Sequence, residues 1–466
     1  MGLIEGIFNV IRNKVLNSMG VERDLIQLLE DRDISAVKSM LQDRDSEVEE
    51  AIREYNPFTH KVMRRPDKPR KGKKPYPTEK LPRGRNRYIN EVELYFLLGN
   101  DIKWKLENID GSEEAFSAFN QFLIDTRFNT TMRQAKRLAG AETESAKLYH
   151  IFQDEKNNPQ VKVVVLARSK GHDLRPLFDQ YGNMKAFGHG YYLNEGGNTI
   201  EHFDLHTADM IYRCRHLSPG WEVRPIENPT GKINVIYYRQ EKAWGDLQPR
   251  IDREEHIDSN TADIVNYFAN PIAFVSTDIV QSVPDTQNPG NMITGTKDSV
   301  FKYIDPPLNS ATMAQEKQDI ANSILFDSFT PEFTPEKMIG LGTLSGEAIK
   351  RAMVLGYIKR DNRKEIYDEL VDREKNLVLA IMMNVTHIGM KEELSKLRII
   401  HEFSEPFNED VTAKWAAVGR AYSDGIMSLE QAVQEISVSD NPQKEIEQIQ
   451  SESAFRSMAN AMEPTF

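Results

Sequence analysis

The sequence lacks most features of secreted and membrane-spanning proteins. It holds one cysteine, Cys214, among 466 residues, so no disulfide can form within the chain and a reducing compartment is expected. No apolar run approaches the ~20 residues that a membrane-spanning helix needs. The first residues show no basic leader followed by an apolar core, which a secretory signal would have. These absences predict a soluble, intracellular protein without a membrane partner.

Catalytic motifs are equally scarce. No Walker A pattern (GxxxxGK followed by Ser or Thr) occurs, which argues against ATP hydrolysis by a P-loop. Residues 340–345 match a dinucleotide fingerprint only in part, because no buried strand precedes them and Ser345 stands in place of the last glycine. Ser345 also lies outside any GxSxG elbow. We therefore expect a protein that is not an enzyme, with no catalytic residue, no cofactor and no metal.

One alternative to this expectation comes from the histidines. His202 and His206 would share a face if their segment is a strand, and a zinc enzyme would need Cys214 or His216 to complete the site. We favour surface or hairpin histidines. The acidic pairs Glu254-Glu255 and Glu392-Glu393 are interpreted as solvated helix faces.

What the sequence does contain is a strong charge asymmetry. Residues 61–87 carry twelve Lys or Arg against Asp67 and Glu79, a net +10, so the rest of a chain of net charge −12 carries −22. Six prolines between 57 and 82 predict an extended surface segment. This basic arm (55–87) is interpreted as a contact to a neighbouring subunit, through these residues: Arg64, Arg65, Lys68, Arg70, Lys71, Lys73 and Lys74. The alternative is a nucleic-acid-binding module that uses the arm.

Periodicity predicts a mixture of helices and strands before residue 244. Short helices are expected in 1–54, and a helix over 88–100, closed by Gly99, precedes a strand at 101–106. Further helices are predicted at 116–123 and 129–138, and strands at these segments: 145–152, 161–167, 191–193, 200–203, 210–214 and 233–239. The fold class is therefore α+β.

The second half of the sequence predicts a helical rod that goes out and returns. Helices at 247–269 and 309–326 flank a turn-rich, β-containing insert. A long polar helix is expected from Ser345 towards Met383, with Ser345 as N-cap and a kink at Gly356. Helices return at 409–457. Lys359, Arg360, Arg363 and Lys364 are interpreted as part of a solvated face.

Five short segments follow one another along the chain: Tyr88–Trp104, Asn228–Tyr238, Ile257–Asp263 (Ser-x-x-Ala-Asp), Gly342–Lys350 (Gly-x-x-Ser-Gly-x-Ala-x-Lys) and Gly425–Ala432. In this order they resemble the portal protein family of tailed double-stranded DNA phages, especially siphophage-type portals. Their order carries as much weight as their composition. In the second segment Asn234 stands where proline is usual in the family, and in the last Gln431 replaces threonine.

The resemblance implies a division of the chain. Residues 1–54 are an N-terminal helical segment and 55–87 the basic arm, neither covered by the family pattern. In a portal the arm would contact a neighbouring subunit or the capsid. The remaining assignments are wing (88–244), stem helix (245–269), clip (270–307), stem helix (308–326), tunnel loop region (327–344), long wing helix and connection (345–408) and crown (409–466).

The resemblance also implies a function. Members of the portal family form rings, usually dodecamers, at one capsid vertex of the virion, after synthesis in the host bacterial cytoplasm. The channel serves genome packaging, retention and ejection, and head-tail attachment. Implied partners are other copies of the chain, the terminase large subunit that hydrolyses ATP, the major capsid protein, the scaffolding protein, the head-tail adaptor and double-stranded DNA. Candidate DNA-facing residues are Lys337, Ser345, Lys350 and Arg351.

Overall fold

A computed structural model describes residues 21–69, 74–107, 113–268, 273–276, 300–303, 310–334, 339, 346–407, 411–436 and 445–453. They divide into two compact units. The first comprises residues up to Glu332 together with Val354–Ser404, and the second comprises Phe333–Met353 together with residues from Glu405 onwards. Helices and strands are mixed in the first unit, which confirms the predicted α+β class.

The helices, in chain order, are α1 (Val21–Glu30), α2 (Ile34–Met40), α3 (Asp45–Tyr55), α4 (Arg85–Leu98), α5 (Glu113–Asp125), α6 (Phe128–Glu142), α7 (Gln248–Phe268), α8 (Ser310–Asp327), α9 (Gly346–Ala352), α10 (Val354–Ile381), α11 (Lys391–Lys396), α12 (Val411–Ser423) and α13 (Leu429–Ile436). The strands are β1 (Lys103–Leu106), β2 (Glu144–Gln153), β3 (Pro159–Leu166), β4 (Asp173–Phe178), β5 (Met184–Glu195), β6 (Asn198–His206), β7 (Met210–Leu217), β8 (Gly220–Glu227), β9 (Val235–Arg239), β10 (Ala273–Ser276), β11 (Val300–Tyr303) and β12 (Ile399–Glu402).

Each of the six predicted strand segments between 145 and 239 overlaps a strand, but β4 and β8 were not predicted. β4 contains Pro176 and β8 contains Pro225. A proline in a short run of residues argues against a strand in the interior of a sheet. Both strands lie at the edges of the five-stranded sheet, whose order is β4-β5-β6-β7-β8. An edge position tolerates a residue that cannot donate a backbone hydrogen bond.

The five-stranded sheet is covered on both faces. On one face, Leu25 and Leu29 of α1 and Val37 of α2 pack with Phe203 and Leu205 of β6. The other face meets a three-stranded sheet of order β3-β2-β9. Their shared core contains these residues: Leu166, Leu174, Met184, Phe187, Val235 and Tyr237. Alternate residues of one strand therefore face different cores, as the period of two requires.

A tight turn connects β8 to β9 and lies in the Asn228–Tyr238 segment. The Asn228 side-chain amide donates to the carbonyls of Thr207 (2.9 Å) and Lys232 (2.8 Å). Gly231 has φ +64°, a backbone conformation that favours glycine. Asn234 donates its side-chain amide to the carbonyl of Tyr149 at 2.9 Å, a bond that a proline could not make.

Helices α4, α5, α6 and α10 form the main core with β2 and β9. α10 is anchored by Glu374, whose carboxylate accepts from the Tyr238 hydroxyl at 2.7 Å and is paired with Lys147 and Tyr149. Glu374, Lys147 and Tyr149 are all buried. A buried charge of this kind is tolerated because every neighbour is a donor.

The long helix differs from its prediction in one respect. The break falls at Met353, between α9 and α10, and Gly356 lies inside α10. A Cβ added at Gly356 would stand 2.3 Å from Cζ of Phe96. The glycine therefore allows α10 to approach α4 closely, and the interruption of the helix lies three residues before the predicted kink. The predicted N-cap, Ser345, lies outside the described residues.

The out-and-back rod is present as two long helices. α7 and α8 pack together and are tied by ion pairs between Arg253 and Glu316 (2.6 Å) and between Lys317 and Asp258 (2.6 Å). Between them β10 pairs antiparallel with β11, which are the described parts of the predicted insert.

The second unit is helical where it is described. It contains α9, α12, α13 and a helical run at 445–453. Within the described parts of both units, no helix is long and apolar enough to cross a membrane.

Candidate functional site

The described part of the basic arm lies along α7 of the same chain. Lys61 pairs with Asp252 at 2.8 Å, Arg85 at the start of α4 pairs with Glu254 at 2.7 Å, and Arg83 pairs with Asp258. Glu255 and Asp263, described next, also have cationic partners. Each of the five acidic residues of α7 is therefore paired with a side chain from residues 60–85. The negative charge of this helix is therefore neutralised locally.

The strongest anchor is Asp263, near the C-terminal end of α7. Its carboxylate accepts from the Glu79 backbone amide at 2.7 Å and from Arg65 at 3.0 Å, and Lys68 lies 3.4 Å away. Burial opposes ionisation of Asp263, but the Glu79 amide, Lys68 and Arg65 prevail and hold its pKa below the usual value. Ser259, fully buried, accepts from the Leu81 amide at 3.0 Å.

These contacts give the Ser-x-x-Ala-Asp pattern of 259–263 a physical meaning. Ser259 and Asp263 are four residues apart, so they lie on the same face of α7, and both hold the backbone of the arm.

The second anchor is His60, buried against α7. Its Nδ1 lies 2.6 Å from Oε1 of Glu255, and its Nε2 lies 2.7 Å from the carbonyl oxygen of Glu54. Both neighbours are acceptors, so the ring satisfies both only when it carries two protons. Burial opposes the charge, but the hydrogen bonds to Glu255 and to the Glu54 carbonyl, together with the negative charges of Glu255 and Asp252, outweigh it and raise the pKa of His60.

Glu254 and Glu255 are thus not a solvated helix face, and that prediction is wrong. Both are fully buried because the arm covers them and supplies Arg85, His60 and the Arg83 amide as donors. The sequence signal that could have revealed this is the coincidence of an acidic helix with a basic segment of opposite charge. Glu392 and Glu393 are exposed as predicted.

The seven arm residues predicted to contact a neighbour or a capsid have different environments. Arg65 and Lys68 are engaged with Asp263 of their own chain. Arg64 and Lys74 are exposed. Arg70, Lys71 and Lys73 lie outside the described residues. The prediction of an external contact therefore depends on Arg64, Lys74 and these three.

The candidate DNA-facing residues are described only in part. Lys337 and Ser345 lie outside the described residues. Lys350 and Arg351 are in the last turn of α9, where Lys350 is half-buried and Arg351 exposed. Their role stays a prediction.

A buried ionic cluster around Glu93 was missed by the sequence reasoning. Glu93 Oε1 lies 2.5 Å from Lys136 Nζ and 3.1 Å from Arg363 Nε, and Oε2 lies 3.5 Å from Lys359 Nζ. The Gln240 amide donates to the same carboxylate at 3.2 Å. Burial would raise the pKa of Glu93, but the three cations lower it to about 2. Burial lowers the pKa of Lys359 to about 8.

The Glu93 cluster corrects the expectation that the basic residues of α10 form a solvated face. Lys359 and Arg360 are buried, and the guanidinium of Arg360 donates to the Phe403 carbonyl at 3.0 Å. Lys364 alone of the four is exposed. The available signal is in α4, where Glu93 stands between Val92 and Leu94 at the start of the apolar run 94–98, whereas Glu91 two residues earlier is exposed. A buried acid in such a position requires a buried cation.

The alternative zinc set of His202, His206 and Cys214 is not brought together. Phe203 pairs with Cys214 across β6 and β7, and both face the core under α1 and α2. His206 points to the opposite face, and it is buried, not at the surface. His202 lies 3.1 Å from Glu195. His216 is exposed beside Trp221.

A comparison with protein families gives one match over most of the chain. The family model described as phage portal protein, SPP1 Gp6-like, matches residues 36–457. A search of curated proteins gives no match. Among solved structures, a chain from the neck of an empty GTA particle computed with C6 symmetry is similar at 11% identity and a TM-score of 0.41, covering 77% of this chain and 90% of that chain.

A chain from the neck of a native GTA particle computed with C12 symmetry gives 12% identity, a TM-score of 0.41, and coverage of 77% and 91%. Both TM-scores are below 0.5, so neither likeness bears on the function.

Proposed function

Because the chain belongs to the SPP1 Gp6-like family of phage portal proteins, we propose that its copies form a ring around a central channel at one capsid vertex, with twelve subunits. The observation that carries this proposal is the match over residues 36–457, which takes in the arm, the mixed domain, the helix pair and the C-terminal helices. The ring would be the conduit for packaging, retention and ejection of double-stranded DNA.

The packing of the arm supports assembly side by side. A ring repeats one heterologous interface, and unpaired acids on every copy of α7 would repel one another. Here all five acids of α7 have partners from their own chain. The helix pair can therefore lie beside its copies without that repulsion.

The parts of the chain are assigned by analogy with the family. The mixed domain 88–244 and the long helix with its connection (345–408) would form the wing. Helices 245–269 and 308–326 would form the stem, 270–307 the clip, 327–344 the tunnel loop region and 409–466 the crown. Lys337, Ser345, Lys350 and Arg351 would face DNA.

The chemistry of translocation belongs to a partner in this proposal. A terminase large subunit would hydrolyse ATP and dock on the clip, and a head-tail adaptor would bind there later. The major capsid protein and the scaffolding protein would hold the ring at the vertex. The chain itself would work as a non-enzymatic channel in the virion.

Electron microscopy of the purified protein, with native mass spectrometry for the subunit count, tests the proposal. Rings with a central hole and about twelve subunits are expected. A discrete monomer or dimer at micromolar concentration, with no rings even beside the capsid protein, would overturn it.

The double variant Arg64→Glu/Lys74→Glu separates the portal from a nucleic-acid-binding module. Both side chains are exposed and leave the contacts with α7 intact. In a binding module this charge reversal would weaken duplex binding strongly, with a smaller salt dependence. In a portal it would leave DNA binding by the subunit unchanged and would lower ring yield or incorporation into capsids. The matched control Asp361→Asn, on the exposed side of α10, should change neither.

A further inference from the structure

A cavity of about 660 Å³ lies between the two sheets of the mixed domain. Leu148, Val164 and Leu166 of the three-stranded sheet line one side, and β5, β6 and β7 line the other. Ligand pockets are lined mainly by apolar side chains, with a few polar groups that fix the ligand. Here the wall formed by the five-stranded sheet carries polar side chains that neither the ring nor the channel requires.

Three of these side chains converge through strand register. His189 of β5 is the direct cross-strand neighbour of Asp204 of β6, and His206 lies two residues further on the same face. One ligand atom of each residue lies within 4.8 Å of the others. In a tetrahedral zinc site with bonds of 2.0–2.1 Å, ligand atoms are roughly 3.3 Å apart. Small side-chain rotations would close that difference.

The nitrogen and oxygen atoms that could bind a metal ion are buried and have no hydrogen-bond partners among the described residues. His189, Asp204 and His206 are each more than nine-tenths buried. Nδ1 of His189, Oδ1 of Asp204 and both ring nitrogens of His206 have no hydrogen-bond partner among the described residues. The Asn234 side chain lies near the His206 ring and works against the lowering of its pKa. Neither ring nitrogen of His206, however, forms a hydrogen bond with Oδ1 of Asn234. A buried polar atom without a partner costs about 1–3 kcal/mol, so this concentration points to a missing ligand.

Two neighbours extend the site. Nδ1 of His172 and Oδ1 of Asn234, both on the cavity lining, also lack a partner among the described residues. The Tyr191 hydroxyl donates to Oδ2 of Asp204 at 3.2 Å, which orients the carboxylate and leaves Oδ1 free. Such outer hydrogen bonds commonly fix the ligands of a metal.

The protonation states also suit a cation. Burial lowers the pKa of His206 to about 4 and the pKa of His189 well below its usual value. Burial raises the pKa of Asp204 to about 6, against the effect of the nearby Arg213. At neutral pH both imidazoles are uncharged and the carboxylate is ionised, the states in which these side chains bind metal ions.

We propose that His189, Asp204 and His206 bind one divalent transition-metal ion, with Zn²⁺ as the ion that best fits two imidazoles and a carboxylate. The ion ties β5 to β6 on the cavity side, and Asn234, His172 or a water molecule completes its coordination. Arg213, opposite Asp204 in the register, also lines the cavity, but its side chain is exposed. This structural site departs from our expectation of no metal and shares only His206 with the discarded zinc set.

The test uses the full chain with any affinity tag removed, stripped with a chelator and dialysed against Zn²⁺. Elemental analysis should find about one zinc per chain, and Co²⁺ should give visible absorption typical of tetrahedral nitrogen and oxygen ligands. His206→Gln and Asp204→Asn should each lower zinc affinity at least about 10-fold. His216→Gln, which alters an exposed histidine of the same sheet, and Cys214→Ser, on its other face, should keep the full content.

Thermal unfolding distinguishes loss of the site from loss of the fold. Zn²⁺ should raise the Tm of the wild-type chain and a chelator should reverse the rise, since a ligand that binds only the folded state stabilises it. The Tm of Asp204→Asn should not respond to Zn²⁺. The proposal is overturned if wild-type protein holds no more zinc than Asp204→Asn, or if its Tm does not respond.

Discussion

Two buried polar clusters in the same unit are built in opposite ways. Around Glu93, three cations and an amide surround one carboxylate: Oε1 meets Lys136, Arg363 and Gln240 at 2.5–3.2 Å, and Oε2 lies 3.5 Å from the Lys359 ammonium. Around His206, two imidazoles and one carboxylate face a cavity with four donor atoms unpartnered among the described residues. We call the first cluster saturated because cations stand beside both oxygens of its carboxylate, and such a cluster holds helices together. The second is unsaturated in this sense, which suits the binding of a cation. Burial alone does not tell these roles apart, but the neighbouring charges do.

The largest effect should come from breaking the saturated cluster. Glu93→Gln leaves the buried Lys136 and Lys359 and the half-buried Arg363 without this counter-charge, and we expect a loss of about 3–5 kcal/mol in the free energy of unfolding. Denaturant titration measures it. Because the folded pKa of Glu93 is depressed to about 2, this contribution is complete above pH ~4.5 and disappears as pH falls through about 2.

Glu91→Gln is the matched control for Glu93→Gln, two residues away in α4. Its partner Arg137 is at 2.6 Å, but both side chains are over two-fifths exposed. An exposed pair contributes at most about 1 kcal/mol. Similar losses for the two variants would show that the Glu93 cluster is not a structural anchor.

Asp263→Asn tests a second carboxylate that is surrounded by donors, the arm anchor formed by Asp263, Arg65 and Lys68, where the Lys68 side chain is exposed. The amide keeps one acceptor for the Glu79 backbone but loses the charge that holds Arg65 and Lys68, and we expect a loss of about 2 kcal/mol. Trypsin cleavage within the arm should become faster and ring yield lower. Asp361→Asn should match the wild type. Unchanged arm cleavage in Asp263→Asn would mean that the arm does not depend on this anchor.

His60→Gln should have a smaller effect that depends on pH. The folded pKa of His60 is raised, so its contribution is complete below pH ~6.5 and disappears as pH rises through the folded value. The difference in Tm between wild type and His60→Gln should therefore shrink between about pH 6 and pH 9. His256→Gln alters an exposed histidine of the same helix and should show no such trend. A difference that grows with pH would contradict the doubly protonated ring.

The smallest effect should come from the unsaturated cluster in the absence of metal. His206→Leu removes two unpartnered ring nitrogens and keeps a similar volume, so zinc-free protein should change by less than about 1 kcal/mol. With Zn²⁺ present, the wild type should gain stability and the variant should not. A zinc-free loss as large as that of Glu93→Gln would show that His206 is already satisfied, and the contrast between the clusters would fail.

The sequence predicted the helices and most strands because their apolar spacing is local. It also separated a basic segment from an acidic chain, although it did not show that the arm covers α7. Glu254 and Glu255 were misassigned for this reason: their partners, Arg85 and His60, are about 170–195 residues away in the chain. The close approach at Gly356 was not predicted because its neighbour Phe96 belongs to another helix.

The sequence by itself determined the α+β class, the resemblance to phage portals, the helix pair and the charge of the arm. These depend on residue type and order along the chain. Only the tertiary structure decided which charges are buried, which partners they meet, and that His189, Asp204 and His206 face one cavity. Those facts depend on strand register and helix packing, where one residue of shift moves a side chain to the opposite face.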